Sequence, residues 1–159
     1  MKYERFEDLP VWQAASNLAI RVFNMGERTA LRSHRSLRDQ VERAALSVSN
    51  NIAEGFERGT TNELLTFLYI ARGSSGEVRS MLCVMDRMAA FSDLKSEISD
   101  LRSLAESISR QLRGWAQHLQ DTPIRGQRHV TYKSRQIDQA RRDRNEFLRE
   151  LQEISGKPG

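Results

Sequence analysis

The chain has 159 residues, of which 38% are hydrophobic and 29% charged, and it holds only 3 Pro and 9 Gly. That length suits one domain with a core of ordinary size, the modest apolar share favours amphipathic helices over a thick core, and the scarcity of breakers permits long helices. A single cysteine, Cys83, excludes an internal disulfide framework and a cysteine-based zinc site, and no apolar run forms a membrane span or a signal-peptide core, so the chain reads as cytoplasmic with no membrane partner.

The net charge of +4 is uneven. Residues 1–120 hold 16 Lys and Arg against 15 Asp and Glu, whereas residues 121–159 hold 9 against 6, so the tail carries +3 of the excess. Arg outnumbers Lys by 21 to 4, and the planar guanidinium suits pairing with phosphate and carboxylate. Such a bias permits nucleic-acid binding without diagnosing it.

The first helix is expected to begin near Asp8, a candidate cap, with Pro10 in its first turn and Gly26 as its stop. Leu9, Trp12, Ala15, Ala19, Val22 and Phe23 mark its apolar face. Residues 28–38 then read as a basic connector of loop and helix start. Arg28, Arg32, Arg35 and Arg38 stand there with His34 and with no acid between them, and they are the first candidates for phosphate contact.

A second helix is predicted from about Ser36 to Glu57. At about 100° per residue, Leu37, Val41, Ala44, Ala45, Val48 and Ile52 share one arc. Beside it Gln40, Arg43, Ser47, Asn51, Glu54 and Arg58 form a separate polar column. Small Ser and Asn suit close contact, and the charged members can satisfy one another, so the column is expected to be a largely buried structural network at a helix or subunit contact, with direct ligand contact as the alternative.

Gly59 should break this helix, and Thr60 with Glu63 forms a T-x-x-E capping signal for the third. Leu64, Phe67, Leu68, Ala71, Ser75, Val78, Leu82, Met85 and Ala89 line one side of that third helix. Its middle, Ala71 to Gly76, is nearly all small, which suggests close approach of a neighbouring helix, since Gly73-Ser74-Ser75-Gly76 lacks the lysine of a phosphate loop. Ser92 or Asp93 is the expected cap of a fourth helix, where Leu94, Ile98, Leu101, Ala105, Ile108, Leu112, Trp115 and Leu119 repeat at helical spacing.

These elements predict an all-α fold: an antiparallel up-down four-helix bundle over residues 1–121, followed by a charged C-terminal extension over 122–159 that is helical from about 134 to 154. Within the extension, Arg141, Arg142 and Arg144 interrupt the apolar seam, which favours docking on a partner or folding on binding over completing the core.

The stretch Gln40-x-x-Arg43-Ala44-Ala45-x-Ser47-Val48-x-x-Asn51-Ile52-Ala53-Glu54-Gly55-x-x-Arg58, the run Phe67 to Val78 and the opening Phe6 to Gln13 together resemble the four-helix-bundle proteins encoded in intervening sequences of 23S ribosomal RNA genes. The likeness runs from about residue 6 to about residue 120. A related branch comprises accessory proteins of diversity-generating retroelements, and what that resemblance implies is a basic homopentameric ring that binds nucleic acid and a reverse transcriptase. Leu46, Ala53, Ile70, Val84 and Met88 lie off the core arcs and are candidates for a side-to-side subunit contact.

Catalysis finds little footing. The three histidines, 34, 118 and 129, and Cys83 offer no supported nucleophile–base pairing, the carboxylates are spread singly, and neither a metal site nor a cofactor is expected. Arg113 and His118 fit the R-x(4–6)-H spacing of helical HEPN ribonucleases, although this arginine content supplies about one such match by chance. The sequence therefore points to a non-enzymatic, oligomeric RNA-binding or scaffolding accessory protein. Its expected phosphate contacts are Arg28, Arg32, Arg35, Arg38, Arg141, Arg142 and Arg144, and its expected partner is structured RNA or an RNA–protein complex. The alternatives are a pure protein–protein adaptor and, behind it, the ribonuclease.

Overall fold

The computed structural model describes residues 3–121 together with Arg144 and Glu146. The chain divides into two units, Met1–Gly126 and Gln127–Gly159. The described part of the first unit is built on four long helices, α1 (Pro10–Gly26), α3 (Arg35–Glu57), α4 (Thr61–Asp86) and α5 (Lys95–Asp121), with a short α2 (Thr29–Ser33) after the first. In the second unit Arg144 and Glu146 are helical and exposed. The remainder of the expected 134–154 helix, with Arg141 and Arg142, lies outside the described residues.

Each long helix packs on two neighbours, α1 on α3 and α5, and α4 on α3 and α5, which closes a four-helix bundle. Specific side-chain pairs fix the antiparallel register. Along α3 and α4, Ser47 meets Ser74 at 2.9 Å between their hydroxyls; along α4 and α5, Tyr69 meets Gln120 at one end and Asp86 meets Arg102 at the other. The core is the sum of the inward stripes, with Leu18, Ile52, Leu64, Leu82, Ile98 and Leu101 all fully buried.

Helix starts follow the local chemistry, with departures. Thr60 caps α4 as its side chain accepts the Glu63 amide at 3.3 Å, and its hydroxyl donates to the Glu63 carboxylate at 2.8 Å. Asp8 does not cap α1. It belongs to a 3-10 turn, Phe6–Asp8, and α1 opens after Leu9 without a side-chain cap, because Pro10 at the first position has no amide to satisfy. The edge of Trp12 against Phe6, with centroids 5.2 Å apart, holds that turn. Ser92 and Asp93 do not cap the last helix either, since they sit in a 3-10 turn, Ala89–Leu94, that runs directly into α5 and is steered by burial of Phe91 and Leu94. Ala89 is exposed in that turn and does not extend the α4 stripe.

Phe23, expected on the core face, is 41% exposed. Leu18, Val22 and Met25 fill the arc of α1 that reaches α3 and α5, and Phe23 lies about 100° beyond Val22. The glycines of α4 are also displaced from their expected role. Gly73 and Gly76 are exposed, and a methyl group at either would meet nothing within 4 Å. The small middle of α4 does meet its neighbours closely, but through Ser74 on Ser47 of α3 and Ser75 on the Ala105 carbonyl of α5. The crowded glycine of the α3–α4 seam is Gly55 of α3, where a Cβ would stand 2.7 Å from the Phe67 Cβ and 3.2 Å from Leu64 Cδ1.

This contrast makes a paired test. Gly55→Ala forces the α4 backbone away from α3, and should cost about 1–3 kcal/mol in urea unfolding. Gly73→Ala enters open space in the isolated protomer and should gain about 0.5–1 kcal/mol from helix propensity. Equal effects from the two substitutions would show that Gly55 does not set the α3–α4 spacing.

Candidate nucleic-acid interface

The basic connector is more ordered than its sequence suggests. Arg28 precedes α2, and Arg32 lies in the last turn of that five-residue helix. His34 joins α2 to α3, its Nδ1 donating to the Ala30 carbonyl at 2.7 Å and its ring tilted against Phe91 at 5.2 Å. Arg35 and Arg38 fall in the first turn of α3.

Acids from outside the connector neutralise half of it. Glu27 receives Arg32 Nη2 at 2.6 Å and Arg38 Nη2 at 2.9 Å, and Arg38 Nε donates to Glu42 at 2.8 Å. Arg38 is only 29% exposed along its side chain, and its hydrogen bond to Glu42 holds its pKa above the ordinary arginine value. The hydrogen bond from Arg32, then its charge and that of Arg38, holds the Glu27 carboxyl below the ordinary glutamate value. Arg28 and Arg35, by contrast, have no ion-pair partner among the described residues. Arg35 opens α3, which has neither a side-chain cap nor an acid in its first turn, and Arg28 stands before α2 in the same connector. Free amides, the positive end of a 23-residue helix and two available guanidiniums make this end of the bundle favourable to an anion.

The polar column does not form a largely buried network within the protomer. It breaks into local pieces. Ser47 bridges to Ser74 of α4, and Asn51 Nδ2 donates back to the Ser47 carbonyl at 2.7 Å and hydroxyl at 3.0 Å. Arg43 turns to the Asp39 carbonyl, and Gln40 is exposed. Glu54 and Arg58 pair at 2.6 Å with 49% and 47% of their side chains exposed, and Arg58 also lies over the Phe67 ring at 5.2 Å. The reason is geometric: the column lies at the outer edge of the α3–α4 seam, so only its smallest members are covered. Gln40, Arg43 and Ser47 instead form one wall of an open cleft of about 520 Å³, with Glu77, Ser80 and Met81 opposite.

The off-core apolar groups are partly as expected. Leu46, Ile70 and Val84 are exposed, whereas Ala53 and Met88 are half-buried. The sequence pattern misses Ile20, and it assigns Phe23 inward. Phe23 and Leu46 line a second cleft with Asp39, Glu42 and Arg43, so the exposed apolar surface extends from α3 onto α1.

Arg113 and His118 are both exposed on α5. Five residues apart, they point about 140° away from one another and do not converge on a reacting atom within the protomer. Among the described residues no three His, Cys, Asp or Glu side chains gather to hold a metal ion, and no helix is long and apolar enough to cross a membrane.

The Glu27 bridge predicts a pH response. A carboxyl held below its ordinary value stabilises the fold above that value and loses its contribution as pH falls through the depressed one. The melting temperature should drop between neutral pH and about pH 3, and Glu27→Gln should flatten part of that drop. Identical pH profiles for the two proteins would remove Glu27 as a contributor.

No curated protein matches the chain. A family model does match, over residues 7–114 of the 159, and it spans α1 to most of α5, including the connector and the polar column. The chain belongs to the family described as 23S rRNA-intervening sequence protein.

Proposed function

We propose that this protein is a non-enzymatic RNA-binding scaffold that works as a homo-oligomer, with a pentameric ring as its assembly. The observation that carries the reading is the uncapped start of α3 with Arg35 in its first turn and Arg28 in the connector before it, both without an ion-pair partner among the described residues, in a chain of this family. Phosphate oxygens would take the place of the missing cap and of the missing counter-ions. Arg32 and Arg38 contribute less, since each already holds a carboxylate. The tail arginines Arg141, Arg142 and Arg144 add charge to the same task.

Oligomerisation is supported by the exposed Phe23, Leu46, Ile70 and Val84, and by Gly73, which leaves the outer side of α4 open to a second copy. Two available arginines in each connector make a weak site alone, and repetition in an assembly multiplies it. An RNA–protein complex, including one with a reverse transcriptase, is a partner of the same chemistry.

Two measurements test this reading. Light scattering at micromolar concentration should give a multiple of the protomer mass, and Leu46→Glu should lower it; a monomer would overturn the assembly. RNA affinity should fall steeply with salt, and Arg28→Gln with Arg35→Gln should reduce the slope by roughly two, about one for each phosphate no longer neutralised, while Arg32→Gln with Arg38→Gln reduces it less. If neither pair, nor removal of residues 122–159, changes affinity or slope, the protein is an adaptor for a protein partner.

A further inference from the structure

The bundle's charge is nearly balanced over residues 1–120, but several of its arginines gather along one groove. The groove between α4 and α5 is fixed at one end by Gln120 Nε2 donating to the Tyr69 hydroxyl at 2.8 Å and at the other by Arg102 against Asp86 at 3.2 Å. Between these ends, helical phase places Arg72 and Arg79 of α4 on the arc that carries Tyr69 and Asp86, and Arg113 of α5 on the arc that carries Gln120 and Arg102. The antiparallel register set by the Tyr69–Gln120 and Asp86–Arg102 pairs puts Arg113 level with Gly76, between Arg72 and Arg79. Arg79 and Arg102 line a cleft with Cys83, Ser99, Ser103 and Glu106.

The groove thus has arginines on both walls and a floor of small or hydroxyl side chains. Arg72, Arg79 and Arg113 are exposed and belong to no ion pair among the described residues. Glu106, paired with Arg110 at 3.3 Å, and Asp86 supply the negative charge along it. From Tyr69 to Asp86 the track is about 25 Å long at 1.5 Å per residue, enough for several successive phosphates. Tyr69 is 45% exposed, and its hydroxyl is tied to Gln120, so its ring stands fixed at the end of a basic track. An aromatic face beside a line of guanidiniums is the combination that single-stranded nucleic acid uses, with a base stacked and the backbone held by charge.

We propose that the α4/α5 groove is a binding track for single-stranded RNA, with a base stacked on Tyr69 and phosphates held by Arg72, Arg79 and Arg113. This rests on the RNA-binding reading and names a surface separate from the connector. A loop or free end of a structured RNA would occupy it while the connector holds other phosphates.

The test uses the full chain with two probes, oligouridine and a blunt RNA hairpin. The Arg72→Gln, Arg79→Gln, Arg113→Gln triple variant should melt like the wild type. It should bind oligouridine at least about tenfold more weakly, with a salt slope smaller by roughly two. Tyr69→Ala should weaken oligouridine about tenfold while Tyr69→Phe retains binding, as stacking requires. Glu106→Gln should tighten binding, an outcome that a merely structural role would not produce. Cys83, the single cysteine, is half-buried in the groove, so saturating oligouridine should slow its alkylation by a maleimide in the wild type. Unchanged oligouridine affinity in the triple variant, or equal alkylation with and without RNA, overturns the groove. Binding of the hairpin alone, lost only with Arg28 and Arg35, overturns the groove and keeps the connector. Failure of the wild type to bind either probe overturns the RNA-binding reading itself, and the groove with it.

Discussion

The close approach of α3 and α4 at Gly55 governs the geometry of the rest. With no side chain there, Phe67 and Leu64 reach the α3 backbone, the two helices draw together, and the Ser47 and Ser74 hydroxyls come within hydrogen-bonding distance further along the seam. Fully buried Ser75 then ties α4 to α5 by donating to the Ala105 carbonyl at 2.8 Å. A helix pair held this tightly leaves no room for long charged side chains inside it. Arg43, Glu54 and Arg58 are pushed to the rim, and the surface of the bundle acquires its charge pattern from that exclusion.

Much of the fold is legible in the sequence because the apolar stripes of Leu64 to Met85 and of Leu94 to Leu112 are long and keep their period. The Thr60 cap is equally plain, since a T-x-x-E signal depends on residues only three apart. Phe23 is easily misread because a single apolar residue at the edge of an arc faces inward or outward depending on how many neighbours its helix has. The glycines illustrate the same limit: Gly55 and Gly73 look alike in sequence, and only the position of α4 decides which one is crowded.

The candidate site is legible in part, for a related reason. Arg28, Arg32, Arg35 and Arg38 form an obvious basic run, but the acids that neutralise two of them lie at 27 and 42, beyond the run's ends. Counting charges within a window cannot see a counter-ion delivered by the neighbouring turn. The α4/α5 groove is hidden more completely, because Arg72, Arg79, Arg102 and Arg113 are dispersed among acids in the chain and share a surface only once two helices are set side by side.

The Glu27 bridge gives the connector a property that a free arginine cluster would lack. A phosphate that captured Arg32 would displace an internal anion, so the event is an exchange of counter-ions inside the protein as well as a release of solvent ions. The carboxyl left behind would lose the partner that keeps its proton affinity low, and would take up a proton more readily. Occupation of Arg32 is therefore coupled to protonation of Glu27, whereas occupation of Arg28 and Arg35 is not. One end of the bundle holds, within a few residues, a pair of cations that respond to salt alone and a pair whose response also depends on acidity.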